Sequence, residues 1–219
     1  MGELLKEKYS TILNTISISN VNLINDPKNI KNNISNEIIK TIGFLSNISF
    51  EKGINSFIKL VNAIQNNGYA ISALIAGPFQ DSKIEKFVLS EISENESINY
   101  IGPLYNEKKL QYFRNIDLFV LPSIDEAEPL VIYESLMNGV PVIAFGVGCV
   151  PEQIGNSPKV GLSINPTTNF IEKSLPWIHS RIKSTNIYVA SSRAALNRYQ
   201  FLQQNAKDDF EGFLSAIQK

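Results

Sequence analysis

The chain has 219 residues, 43% of them hydrophobic and 19% charged, with a formal net charge of −1. That balance suits one substantial core, or one domain with an appendage, and leaves no basic footprint for nucleic acid. A single cysteine, Cys149, and a single histidine, His179, exclude an internal disulfide framework and a zinc site of the usual His/Cys kind.

In chain order, the N-terminus MGELLKEKYS lacks the apolar centre of a signal peptide, and no apolar run approaches a membrane span, so a cytoplasmic location is expected. The Asn-rich stretch NLINDPKNIKNNISN, with Asp26-Pro27 as a turn signal, has no sustained period. Residues 1–37 are therefore expected to be a lead-in or linker remnant rather than core. A strand–helix rhythm starts at Ile38. The run IIKTIGFLS is predicted as a buried strand, and GINSFIKLVNAIQNNG as a helix with Ile54, Phe57, Ile58, Val61 and Ile64 on one face and Gly68 at its C-terminal cap. The strand YAISALIAG precedes a helix opened by Asp81, and the strand INYIG precedes a helix that Asn106 is placed to cap. DLFVLPS is a fourth strand, PLVIYESLMNG a helix ended by Gly139, VPVIAF a fifth strand and VGLSIN a weaker sixth. From Phe170 two or three helices are expected, one interrupted at Pro176. The alternation predicts an α/β fold for residues 38–219: a Rossmann-like, doubly wound parallel sheet of about six strands, with helices on both faces and a helical C-terminal extension.

Ligands of such sheets bind beyond the carboxyl ends of the strands. That rule selects residues 46–53, 77–79, 102–105, 123–130 and 145–150. Neither a P-loop nor a G-x-G-x-x-G fingerprint follows the first strand. The two glycines of FGVGC, ending at Cys149, admit a close backbone approach to a ligand or simply a tight turn. The helix starting near Leu130 offers unsatisfied amides and partial positive charge, which suit an anion such as a diphosphate. Lys52 either adds a full charge to that anion or is a solvated surface lysine. Glu126 and Glu134 stand eight residues apart, and Glu134 lies among Leu130, Val131, Tyr133 and Met137. A carboxylate in such company requires a partner. An internal salt bridge and a vicinal diol such as that of ribose both satisfy the requirement, and spacing leaves the two open. Asp125, Glu126 and Glu128 also suit the dipole at the helix start, and Asp125 and Glu128 read as solvated loop acids. His179 and Cys149 read as structural.

Taken together, FLSNISFEKGINSFIKLV, LIAGPF, YIGPLYNEKKLQYFRNIDLFVLPS and EAEPLVIYESLMNGVPVIAFGVGCVPEQI resemble the C-terminal, nucleotide-sugar-binding domain of retaining GT-B glycosyltransferases. The closest similarity is to glycosyltransferase family four, over residues 38–164, carried by the E-x7-E pattern and the G-x-P-V that follows. The resemblance implies that Glu126 contacts donor-sugar hydroxyls and Lys52 neutralises the diphosphate, the two residues expected to act in catalysis. It implies that Glu134 binds ribose, that the amides of Leu130 and Val131 hold the diphosphate, and that the turn through Gly102 and Leu104 lies against the nucleobase. Asn47 and Glu128 complete the nucleotide-sugar set. Beyond the nucleotide-sugar donor no cofactor and no metal are implied, and the reaction would pass a hexosyl-type sugar to a glycan, lipid or protein. Two departures stand out. Asn47 occupies a position where many members carry arginine, and Pro129 replaces a frequent glycine, removing an amide donor. A GT-B enzyme has two such domains and one is readable here. An N-terminal domain in cis or in trans is therefore expected, with peripheral membrane association through the full-length protein. The competing reading is a non-catalytic interaction module, or a subunit of a split enzyme, that keeps the fold. A paired-carboxylate glycoside hydrolase is disfavoured, because the strand count is too low for a (β/α)₈ barrel.

Overall fold

The structure is a computed structural model and describes residues 19–24 and 38–217. The apolar runs form six strands: β1 Thr41–Leu45, β2 Ser72–Ala76, β3 Ile98–Tyr100, β4 Leu118–Leu121, β5 Val142–Phe145 and β6 Gly161–Ile164. Every pairing is parallel, and the order across the sheet is β3-β2-β1-β4-β5-β6. β4 and β5 are buried at every position, as the uninterrupted runs LFVL and VIAF require of strands covered on both faces.

The helices are α1 Ile54–Asn66, α2 Ser82–Ser93, α3 Asn106–Arg114, α4 Leu130–Met137, α5 Val150–Ile154, α6 Phe170–Lys183 and α7 Thr185–Ile217. Right-handed crossovers put α1 and α2 on one face of the sheet, and α3, α4 and α5 on the other. The first face is closed by Phe44, Phe57, Ile58 and Val61, with Trp177 and Ile178 of α6 packed onto them. The second joins Phe113, Phe119, Ile132 and Leu136 to Ala195 and Tyr199 of α7. Each fully buried Phe, Leu or Ile contributes roughly 1.5–3 kcal/mol, so these two layers hold the sheet against the entropy of ordering it. None of the described helices is long and apolar enough to cross a membrane.

Local details refine the sequence expectations. Asp81 caps α2 as predicted, its Oδ1 accepting from the amides of Lys83 and Ile84 at 2.8 and 2.9 Å. Asn106 does not cap α3. Tyr105 holds the cap position without a side-chain bond, and Asn106 is the first helical residue, at φ 50°, a conformation asparagine tolerates better than most. Pro176 does not interrupt a helix either. It lies inside α6 on the exposed side, where the hydrogen bond that proline forfeits is lost at the solvent face. Two helices follow β6, and the second spans 33 residues. The short α5 escaped the sequence reading, because five residues are too few for a helical period to show.

The expected turn at Asp26-Pro27 lies outside the described residues. Residues 19–24 correct the reading of the lead-in as separate from the core. They form a 3-10 turn, Asn20–Leu23, capped by Ser19, and Val21 at 1% exposure belongs to the second hydrophobic layer.

Candidate functional site

The strand order reverses direction between β1 and β4, so the loops leaving those two strands diverge and open a crevice at their carboxyl ends. The loops are welded together by backbone. The amide of Ile124 donates to the carbonyl of Glu51 at 3.0 Å. Gly53 opens α1 at φ 83°, and a Cβ there would stand 2.0 Å from the Pro122 carbonyl oxygen. The loop after β5 joins from the other side: Cys149 donates its amide to Ala127 O at 2.8 Å, and a Cβ on Gly148 would stand 2.0 Å from Glu126 O. The glycine of FGVGC thus serves contact between loops, the tight-turn side of the two readings.

On this frame Lys52 Nζ lies 2.8 Å from Glu126 Oε1 and donates to Asp125 O at 3.1 Å. Lys52 is therefore not a solvated surface lysine, and Glu126 has a partner within the chain. The side chains keep 30% and 12% of their exposure, so the pair is worth at most about 1 kcal/mol and yields readily to a ligand that satisfies both charges.

Glu134, on α4, has its Oε2 2.6 Å from Lys109 Nζ on α3. Burial pushes its carboxyl above the usual range, and the neighbouring Lys109 ammonium opposes that rise. Of the two partners left open for Glu134, the internal salt bridge is present. Lys109 was missed, since which lysine of NEKK faces α4 depends on α3 and α4 lying side by side. Glu134 and Lys109 line a cavity of about 530 Å³ together with Leu104, Tyr105, Leu110 and Leu130. Such a volume lies within the range of small-molecule sites. Leu104, Leu130 and Glu134 are thereby brought to one place. Lys52 and Glu126 lie outside that cavity, at the β1–β4 loops, and Asn47 is exposed on the first of these. Gly102 sits at the sheet edge, its carbonyl accepting from the Gly77 amide at 3.0 Å. Between cavity and loops stands the start of α4. Pro129 provides no side-chain cap, so no cap residue shields the first-turn amides of Leu130 and Val131. Gln153 on α5 fixes that end by donating to Pro129 O at 3.1 Å.

Glu128 is not a solvated loop acid, since one of its carboxylate oxygens is engaged within the chain. That oxygen accepts from Ser19 Oγ at 2.7 Å, Tyr133 Oη at 2.7 Å and the Asn20 amide at 3.0 Å. It clips the N-terminal turn onto α4. Glu128→Ala should therefore lower the stability measured by chemical unfolding by about 1–3 kcal/mol, the cost of orphaning such donors. Neither His179, whose ring centre is 4.6 Å from that of Tyr69, nor Cys149 lines the cavity.

Comparison with known proteins shows the family of the chain. The family profile described as Glycosyl transferases group 1 matches residues 25–193. An uncharacterized glycosyltransferase of Haemophilus influenzae is 26% identical over 189 residues, covering 86% of this chain and 51% of its own. Among solved structures, TarM of S. aureus superposes with a TM-score of 0.76 at 19% identity, over 97% of this chain and 41% of TarM. The C-terminal domain of LpcC, a glycosyl transferase group 1 family protein of Francisella tularensis, gives 0.65 at 16% identity over 84% of this chain and 97% of that domain. The chain spans about half or less of the length of the curated relatives it matches. Its fold is that of a GT-B C-terminal domain, and the chain belongs to the glycosyl transferases group 1.

Proposed function

We propose that this chain is the donor half of a retaining glycosyltransferase of family four, binding a nucleotide-diphosphate sugar at the β1–β4 crevice for transfer of a hexosyl-type sugar to a glycan, lipid or protein. The observation that carries the reading is one juxtaposition. A half-buried carboxylate, Glu134, lines a cavity of nucleoside size beside the uncapped start of α4, with a cation–carboxylate pair on the adjoining loop. The presence of UDP in the TarM structure supports a uridine-type donor.

In this reading the base lies on the turn through Gly102 and Leu104, and Glu134 accepts from the ribose hydroxyls. The diphosphate rests on the amides of Leu130 and Val131, where the helix dipole favours an anion. Lys52 leaves Glu126 for the diphosphate, and Glu126 is released to accept from sugar hydroxyls. Lys52 and the helix start are fixed positive groups aimed at the charge that builds as the diphosphate departs, and this is their contribution to catalysis. No divalent metal enters the proposal, so EDTA should leave nucleotide affinity unchanged. Acceptor binding falls to an N-terminal domain in cis or in trans, on the cytoplasmic side, with membrane association peripheral.

Calorimetric titration of the 219-residue chain with UDP, GDP and ADP tests the proposal. Saturable binding of one of them below millimolar concentration is expected; no heat from any at millimolar ligand would overturn it. Lys52→Met should weaken diphosphate binding about tenfold, the worth of a charged hydrogen bond, while leaving binding of the bare nucleoside unchanged. The melting temperature of that variant should hardly move, because the pair it breaks is part-exposed. Transfer activity that appears only when a companion chain supplies the N-terminal domain would identify a split enzyme; none under any pairing would favour the non-catalytic module.

A further inference from the structure

The site contains a cation that neither the family motifs nor the donor-site reading employs. Lys109 is the one basic residue among the described residues lining the cavity, and its ammonium lies 2.6 Å from Glu134 Oε2. That oxygen is withdrawn from solvent, whereas the Glu134 side chain as a whole keeps 19% of its exposure and faces the cavity. A carboxylate tethered at one oxygen has one orientation and one oxygen left to offer. An untethered one on a helix surface samples several rotamers and must be ordered by the ligand.

We infer that Lys109 is a positioning residue for the ribose contact, holding one oxygen of Glu134 so that the carboxylate is set to accept from the vicinal diol of a nucleotide. The inference rests on the donor-site reading and deepens it. Among the described residues lining the cavity, no other side chain supplies positive charge to Glu134. From α3 and the turn before it, the other ionisable groups at the cavity are Glu107 and Tyr105, neither of which supplies positive charge. On α4 itself the Tyr133 hydroxyl is turned away to Ser19 and Glu128. The 3-10 turn brings Leu23 and Ile24. From α7, Arg198 is committed to the carbonyls of Glu152 and Gln153 at the end of α5. Without Lys109 the carboxyl keeps only the influence that raises it, burial, so it takes up a proton at a higher pH and accepts hydroxyl hydrogen bonds less well.

The experiment compares UDP with 2′-deoxy-UDP on the full chain by calorimetry, from neutral pH down to the lowest pH at which the chain stays folded, using the GDP or ADP pair if the wild type prefers that base. The ratio of the two affinities cancels the titration of the ligand phosphate. Wild type is expected to prefer the ribonucleotide by about tenfold or more, the worth of a hydrogen bond to a charged group. In Lys109→Met the preference should shrink severalfold and decline as pH falls, with the decline starting at higher pH than in wild type; Lys109→Arg should restore it. Lys109 keeps 28% of its exposure, so the variants should fold, and a circular dichroism melt confirms it. A folded Lys109→Met with the wild-type ratio and pH profile would reduce the pair to a surface ion pair and overturn the inference. Wild type that binds no nucleotide at all would instead overturn the donor-site reading on which it rests.

Discussion

Glu134→Ala is expected to weaken nucleoside diphosphate binding by about 10- to 100-fold while barely altering the stability of the fold. A carboxylate accepting from ribose hydroxyls contributes about 1.5–3 kcal/mol per charged hydrogen bond, and each 1.4 kcal/mol is a factor of ten in affinity. The fold loses little, because Glu134 is a part-buried acid whose burial already disfavours its charge. The alanine leaves behind Lys109, which at 28% exposure returns to water. Calorimetry and thermal melting on the same sample separate the two effects. A variant that melts early and binds normally would show Glu134 to be structural, as the salt-bridge reading of the sequence allowed.

The second large effect concerns the scaffold rather than the ligand. Gly148→Ala is expected to destabilise the domain by roughly 2–4 kcal/mol, from strain at a positive φ together with a steric conflict that loop movement must relieve. Gly148 stands at φ 54°, and the new methyl would fall 2.0 Å from Glu126 O and 2.5 Å from Ala127 O, both backbone atoms that cannot rotate away. The relief is a shift of the 123–129 loop, which carries Glu126 and feeds the start of α4. Nucleotide affinity should therefore drop along with stability, although residue 148 offers a ligand no polar side chain in either form. Unfolding by urea gives the first quantity and calorimetry the second.

The scaffold was legible wherever burial on both faces forces continuous apolar runs: LFVL and VIAF read as strands of a sheet covered on both faces, and the loops that follow them fall at its carboxyl edge. What escaped the sequence were pairings between side chains far apart in the chain. Lys52 and Glu126 are 74 residues apart, and Glu128 and Ser19 are 109 apart. No local period or cap signals either contact, since both exist only because the topology brings distant loops and segments together. Lys109 is the same case: its spacing on α3 is unremarkable until α4 is laid beside it. Asn106 and Pro176 failed differently. Both were read by their commonest roles, cap and breaker, whereas asparagine also tolerates positive φ and proline is cheaper on an exposed helix face.

The central claim is that a nucleotide diphosphate occupies the β1–β4 edge with its ribose at Glu134 and its diphosphate at the start of α4. The most direct measurement is a ¹⁵N–¹H correlation spectrum of the chain titrated with UDP or the preferred diphosphate. Saturable shifts are expected, confined to the amides of Gly102, Leu104, Leu130 and Val131 and the loop around Lys52, and lost in Glu134→Ala at the same ligand concentration. Shifts that cluster on α7 or at the amino ends of the strands, or that persist undiminished in Glu134→Ala, would contradict it.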